Sequence, residues 1–252
     1  PLANAESFSE RLDFELATHV EIVTAKLLTA LYRQSDSSQR KTLRNKIGSI
    51  LYSFSLHSSS SSQMSTIVSS SSLGERNTSA AAIPGILLSL HRIICGFRAP
   101  PLHESHKLLL LHLLIPLHKT NAMVLWRDQT PMLALYHEPL VMCISKILDL
   151  DTDTSSPLVS KVILALVHPN IWPEGRTSNT PKVVLLLHEI DTLLERHPKN
   201  CYMNWFQSVA NSLLLRVCEC ISSDNSRVSE RALQLWKNKK FEKLVASQLS
   251  TY

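Results

Sequence analysis

Four histidines, His103, His106, His112 and His118, crowd one stretch of the chain and invite a metal reading, because imidazole is a common zinc ligand. A helical zinc site needs two of them four residues apart, as in H-E-x-x-H. His103-Glu104-Ser105-His106 is one residue short, so the two imidazoles do not stack one turn apart, and His112 and His118 lie six apart, off a common face. Cys218-x-Cys220 has the same defect and reads as a pair of small core or boundary residues. Nucleophilic catalysis finds no G-x-S-x-G elbow, and Ser38-x-x-Lys41 is a two-residue match that a serine-rich chain yields by chance. Five glycines (Gly48, Gly74, Gly85, Gly96, Gly175), none within ten residues of another, exclude the Rossmann and P-loop fingerprints. No catalytic residue, metal or cofactor is expected. Asn77-Thr78-Ser79 is a glycosylation sequon on paper only, and the serines around it could accept phosphate.

Composition bounds the rest. Of the 252 residues 44% are hydrophobic and only 6% aromatic, with leucine abundant, which favours helices over a β-sandwich and suffices for a substantial core. The net charge of +5 comes from 26 basic and 21 acidic residues, gathered locally only at Arg40 to Lys46 and Lys237 to Lys243. Those groups read as solvated helix faces rather than a phosphate-facing stripe, so no nucleic acid partner is expected. The longest apolar stretch, Leu108 to Leu117, is interrupted by His112 and Pro116 and falls short of the roughly 20 residues a membrane span needs. Five cysteines without a C-x-x-C pair point to a reducing compartment, cytosolic or nuclear. The start Pro-Leu-Ala-Asn, without Met or an apolar leader, reads as that of a fragment.

Apolar spacing supplies the elements. Val20, Val23, Leu27, Leu28 and Leu31 mark a helix over about Thr18 to Arg33, and Leu43, Ile47, Ile50, Leu51 and Phe54 mark its partner from Gln39 to His57. Residues 58–79, dominated by serine, are predicted to be a disordered insertion. Helices follow from Pro84 to Phe97 and from Glu104 to Lys119, the latter with Leu108, Leu111, Leu114, Ile115 and Leu117 inward. Three more pairs are His137 to Leu148 with Pro157 to Val167, Pro181 to Arg196 with Trp205 to Ser222, and Ser226 to Trp236 with Phe241 to Leu249. Their first helices start near His137, Pro181 and Ser226, 44 and 45 residues apart. Helix hairpins at that period predict an all-α fold, a HEAT-like α-solenoid of about five hairpins over residues 1–252.

Gly96-Phe97, Pro101-Leu102, His106-Lys107, Leu114 and Pro116-Leu117-His118-Lys119 occur in the order and spacing found in the B-prime family of protein phosphatase 2A regulatory subunits. Tyr136-His137, Trp172-Pro173, Pro181-Lys182-Val183, Glu189-Ile190 and Val228-x-Glu230-Arg231-Ala232-Leu233 with Trp236 and Asn238 extend the match, so the chain resembles that family from about Ile83 to Leu244. It departs from the pattern in the serine tract and in lacking the family's C-terminal repeats. The resemblance implies a noncatalytic subunit that binds the phosphatase scaffold and catalytic subunits and recruits substrates through a groove for L-x-x-I-x-E peptides. It also implies the peptide-binding positions Arg33, Arg40, Ile93 and His106, with Ser89 where the family has an isoleucine. Tyr32 stands in place of a histidine, Leu88 of a glutamate, and Leu102 or His103 of a lysine. A generic helical scaffold or adaptor that no longer binds the phosphatase is the alternative.

Overall fold

Side chains at the helix starts do much of the work of delimiting the elements. Asn179, Asn225 and Asn238 each turn an Oδ1 onto backbone N–H groups just downstream, of Lys182 at 3.2 Å, of Arg227 and Val228 at 3.1 and 3.3 Å, and of Lys240 and Phe241 at 3.0 and 3.3 Å. Each satisfies donors that the first turn of a helix leaves without a partner. Asp36 and Gln39 form a reciprocal capping box, Gln39 N to Asp36 Oδ1 at 2.8 Å and Asp36 N to Gln39 Oε1 at 3.1 Å.

The computed structural model describes residues 2–60, 70–96, 102–124, 130–153, 157–173, 179–196 and 204–249. They form α1 (Leu2–Gln34), α2 (Ser37–Ser60), α3 (Ser70–Cys95), α4 (Glu104–Leu109), α5 (Met132–Leu148), α6 (Leu158–Val167), α7 (Thr180–Arg196), α8 (Asn204–Ile221), α9 (Ser226–Leu235) and α10 (Lys239–Leu249). The chain is all-α, and among the described residues the one extended pairing is an isolated bridge between Met123 and Pro131. Between Met132, Thr180 and Ser226 the helix starts are 48 and then 46 residues apart, slightly longer than the sequence period, because α5 begins five residues before His137. Contacts cluster into two units, Pro1–Phe97 with Thr120–Cys143, and Arg98–Lys119 with Ile144–Tyr252, where the periodicity suggests one array over 1–252.

In the first unit, α1 lies along α3 through small residues. Ala25 and Thr29 of α1 are buried, as are Gly85 and Ser89 of α3, and the Ser89 hydroxyl donates within reach of both Gly85 O (2.9 Å) and Ala25 O (3.2 Å). A Cβ on Gly85 would stand 2.5 Å from Glu21 O and 2.8 Å from the Thr24 Cβ, so only glycine permits this approach. Gly85→Ala is therefore expected to cost about 1 to 3 kcal/mol by overpacking, read as a lower denaturation midpoint. An unchanged midpoint would mean that α1 slides on α3 freely. The expected α1 stripe is corrected by this packing: Val23, Leu27 and Leu31 are exposed, because the small-residue face claims the contact with α3. On α2 the reading holds for Ile47 and Leu51, both buried, but Ile50 is exposed. Phe54 meets buried Tyr136 edge-on, with ring centroids 5.6 Å apart.

The serine tract also differs from expectation. Residues 58–60 complete α2 and residues 70–79 open α3, so these parts are helical; 61–69 lie outside the described residues. Serine costs a helix little per residue, and Ala80, Ala81 and Ala82 are the strongest helix formers available. Their helix continues through Pro84 rather than starting there.

In the second unit α6 packs on α8, and α7 and α8 pack on α9. The expected helix over Glu104 to Lys119 changes type twice, from α to a π turn at Leu110–Leu114 and then to a 3-10 stretch at Ile115–Lys119. Pro116 brings no backbone N–H to an α ladder, and the change of pitch turns Leu110, Leu114, Ile115 and Leu117 inward while Leu108 is left exposed. In α9 the buried positions are Val228, Ala232 and Leu235, whereas Leu233, expected in the core as a leucine of this helix, is 52% exposed. Leu233→Ala is accordingly expected to shift stability by less than about 0.5 kcal/mol. A loss above about 2 kcal/mol in urea denaturation, the size of a buried-leucine truncation, would contradict this face assignment.

Candidate functional site

Of the segments that carry the family resemblance, Gly96-Phe97 and Tyr136-His137 belong to the first unit, and the others lie in the second. His118 and Glu189, 71 residues apart in sequence, are both fully buried, with His118 Nε2 3.0 Å from Glu189 Oε2 and His118 Nδ1 3.0 Å from Ile115 O. Lys182 in the first turn of α7 is buried too, and its removal from water pushes its pKa down to about 8. Asp191 receives Arg231 Nη2 on Oδ2 and Asn238 Nδ2 on Oδ1, both at 2.7 Å, which ties α7 to α9 and to the cap of α10. Trp236 closes the corner against Phe241, centroids 5.1 Å apart. Burial of charge and polar groups in this density needs every partner in place, so the residue types at these positions are set by the fold itself.

The surface candidates lie at the turn from α1 to α2. Arg40 donates from Nε to Tyr32 O at 3.0 Å and from Nη2 to Arg33 O at 3.1 Å, capping the C-terminal carbonyls of α1 with a cation where the helix dipole favours one. Its guanidinium lies 5.5 Å from the centre of the Tyr32 ring. Arg44, one turn further along α2, approaches the same ring at 5.9 Å and donates from Nη1 to the Tyr32 hydroxyl at 2.7 Å. Arg33 is exposed alongside. Of the sequence candidates, the turn thus brings Arg33 and Arg40 together. Tyr32, which stands at a groove position where the family has a histidine, and Arg44, to which the resemblance does not point, complete the cluster; the available cue to Arg44 is its spacing from Arg40, four residues along one helix face.

The other candidates stand elsewhere. Ser89 is 0% exposed and bonded to the backbone beneath α1, so it presents nothing to a peptide, in contrast to its place as a groove position in the sequence reading. Ile93, one turn on, is buried, and Leu88 beside them is half-buried. His106 belongs to the second unit, half-buried in α4, and burial followed by the nearby His103 lowers its pKa. The two rings are 6.0 Å apart, but His103 is the N-cap of α4 and takes the Ser105 N–H on its ring, so it is not on the helix face as the spacing argument assumes. Among the described residues no group of three or more His, Cys, Asp or Glu could hold a metal ion, and no helix is long and apolar enough to cross a membrane.

Successive helices packed on one another, fastened within the second unit by buried polar contacts, define an all-α helical-repeat protein. A model of the family described as protein phosphatase 2A regulatory B subunit (B56 family) matches residues 14–251, and the chain belongs to that family. The 56 kDa regulatory subunit delta isoform of serine/threonine-protein phosphatase 2A from Homo sapiens is 32% identical over 165 residues, 65% of this chain and 23% of the relative. The B-prime alpha isoform of the 57 kDa regulatory subunits from Arabidopsis thaliana is 35% identical over 170 residues, 66% of this chain and 29% of the relative. The delta 2 isoform from Schizosaccharomyces pombe is 34% identical over 169 residues, 67% and 23% respectively. The matched stretch thus spans about a quarter of the length of these relatives.

Proposed function

We propose that this chain acts as a noncatalytic regulatory subunit of protein phosphatase 2A, binding its scaffold and catalytic subunits and holding substrates near an active site it does not itself contain. The observation that carries this reading is the family match over residues 14–251. Catalysis would then be served by proximity, since a tethered substrate sees the phosphatase at a raised effective concentration. Substrates would be recruited by L-x-x-I-x-E segments whose glutamate is taken by Arg40 with help from Arg33, because a guanidinium offers a carboxylate charge-assisted, directional bonds. With Ser89 enclosed, the apolar part of such a groove is left to other residues. The four described cysteines, Cys95, Cys143, Cys218 and Cys220, are unpaired, in keeping with work in the cytosol or nucleus.

Co-purification of the tagged chain with the scaffold and catalytic subunits tests the assembly, and fluorescence polarisation with a labelled L-x-x-I-x-E peptide tests recruitment. Arg40→Ala is expected to weaken the peptide about tenfold or more while assembly persists. Assembly without peptide binding would leave a scaffold role, and failure of both would favour a helical adaptor independent of the phosphatase.

A further inference from the structure

We propose that the solvent-facing stripe of α1 is a docking surface for an acidic amphipathic helix of a partner protein. Leu16, Val20, Val23 and Leu27 follow one another at intervals of four, three and four residues, the spacing of a coiled-coil seam, and Leu31 extends the stripe by one more turn. Leu27 lies two residues from both Ala25 and Thr29, so the stripe stands about half a turn away from the face that α3 covers. Val20 is half-buried, and the other four are between 45% and 62% exposed, with nothing among the described residues covering them. One exposed leucine is ordinary on a protein surface. Four large apolar side chains in line over about 22 Å mark a place where something binds.

Charge selects the occupant. His19, Lys26 and Arg33 recur every seven residues along one edge of the stripe, and all three are exposed. Between Leu16 and Arg33 the one acidic residue is Glu21, which is half-buried with its backbone carbonyl close to Gly85. In helix-on-helix docking, edge positions of this kind face those of the partner, and opposite charges there set partner choice and orientation. A second copy of this chain brings none: antiparallel pairing sets the basic row against itself, and parallel pairing sets it against Thr24 and Leu31. The occupant that fits is a helix of about four turns with leucine- or valine-type residues along one face and Asp or Glu beside them at seven-residue intervals. It would draw affinity from the apolar area it covers and selectivity from the charged edge, the division of labour of helix-in-groove recognition.

The test measures binding of two labelled peptides to the full chain by fluorescence polarisation. Both run about three heptads with Leu at the seam positions; one carries Glu at both edge positions of every heptad and its twin carries Lys, so that neither pairs readily with itself. The Glu peptide should bind about tenfold tighter than the Lys twin, and the difference should shrink in about 0.5 M salt. Leu27→Gln, at an exposed position, should weaken the Glu peptide about tenfold without lowering the denaturation midpoint. His19→Glu with Lys26→Glu should bring the two peptides within about threefold of each other; Arg33, which also belongs to the recruitment corner, is left in place. No binding by the wild type, equal affinity for the two peptides, or an affinity unmoved by Leu27→Gln would overturn the proposal. So would a Leu27→Gln protein that fails to fold, since Leu27 is then a core residue, or wild-type dimers in sedimentation that Leu27→Gln dissolves, since a second copy then closes the stripe.

Discussion

Replacing His118 with alanine is expected to destabilise the protein by about 3 to 5 kcal/mol, the range for removing one partner of a buried ion-paired or charge-assisted contact. Its Nε2 faces Glu189 Oε2 at 3.0 Å with both side chains fully buried, so the variant leaves a carboxylate inside the second unit one protein donor short. The cavity left by the imidazole adds to the loss. Urea denaturation followed by circular dichroism measures it. A double variant, His118→Leu with Glu189→Leu, should lose less than the single His118→Ala, since the carboxylate left short of a donor is removed with its partner and the space is refilled. If the single variant unfolds at the wild-type midpoint, the contact contributes nothing and its place in the interior is mistaken.

The second large effect is a pH dependence. Lys182, fully buried, has its pKa lowered from 10.5 to about 8 by loss of hydration. Between those values the unfolded chain holds a proton that the folded chain has released, so stability rises with pH through this window and falls as pH drops toward 8. The full swing is about 3 kcal/mol, at about 1.4 kcal/mol per pKa unit. Burial raises the pKa of the Cys220 thiol to about 11 and pushes those of Cys143 and Tyr136 up as well, and these acids act in the opposite direction from about pH 9 and 10 upward. The thiols already begin to oppose the lysine as pH approaches 9, so the lysine's share is read as a difference between two proteins. From about pH 8 to 9 the wild type should gain stability relative to Lys182→Met, whose side chain has similar length and no charge, by about 1 kcal/mol. Parallel curves for the two proteins would remove Lys182 as the source.

The later helices are legible because their punctuation is chemical. Pro157, Asn179, Asn225 and Asn238 stand at or beside helix starts, and α6 to α10 begin within two residues of where the spacing places them. What cannot be read is which face of α1 lies inside. Leucines at 27 and 31 signal burial by every rule of periodicity, yet Ala25 and Thr29 facing Gly85 and Ser89 let two backbones come closer than leucines allow. Leu233 misleads for the related reason that a short helix such as α9 can leave one of its leucines outside without losing its core. At the candidate site, Arg33 and Arg40 are visible through resemblance alone. The part played by Tyr32 depends on a ring that two guanidinium groups approach, which no one-dimensional pattern encodes.

The two contact units interleave along the chain, and this bears on how the protein can be made or cut. The chain builds the first unit to residue 97, contributes 98–119 to the second, returns to the first for 120–143, and finishes in the second. During synthesis the first unit waits for α5 to emerge, while Leu110, Leu114, Leu117 and His118 leave the ribosome well before the Glu189 that His118 bonds, 71 residues further on. Until then that apolar segment lacks its final partners and is exposed to chaperones and proteases. A truncation at any loop between 97 and 144 likewise strips one unit of part of its interior, so neither half can be dissected out by a single cut.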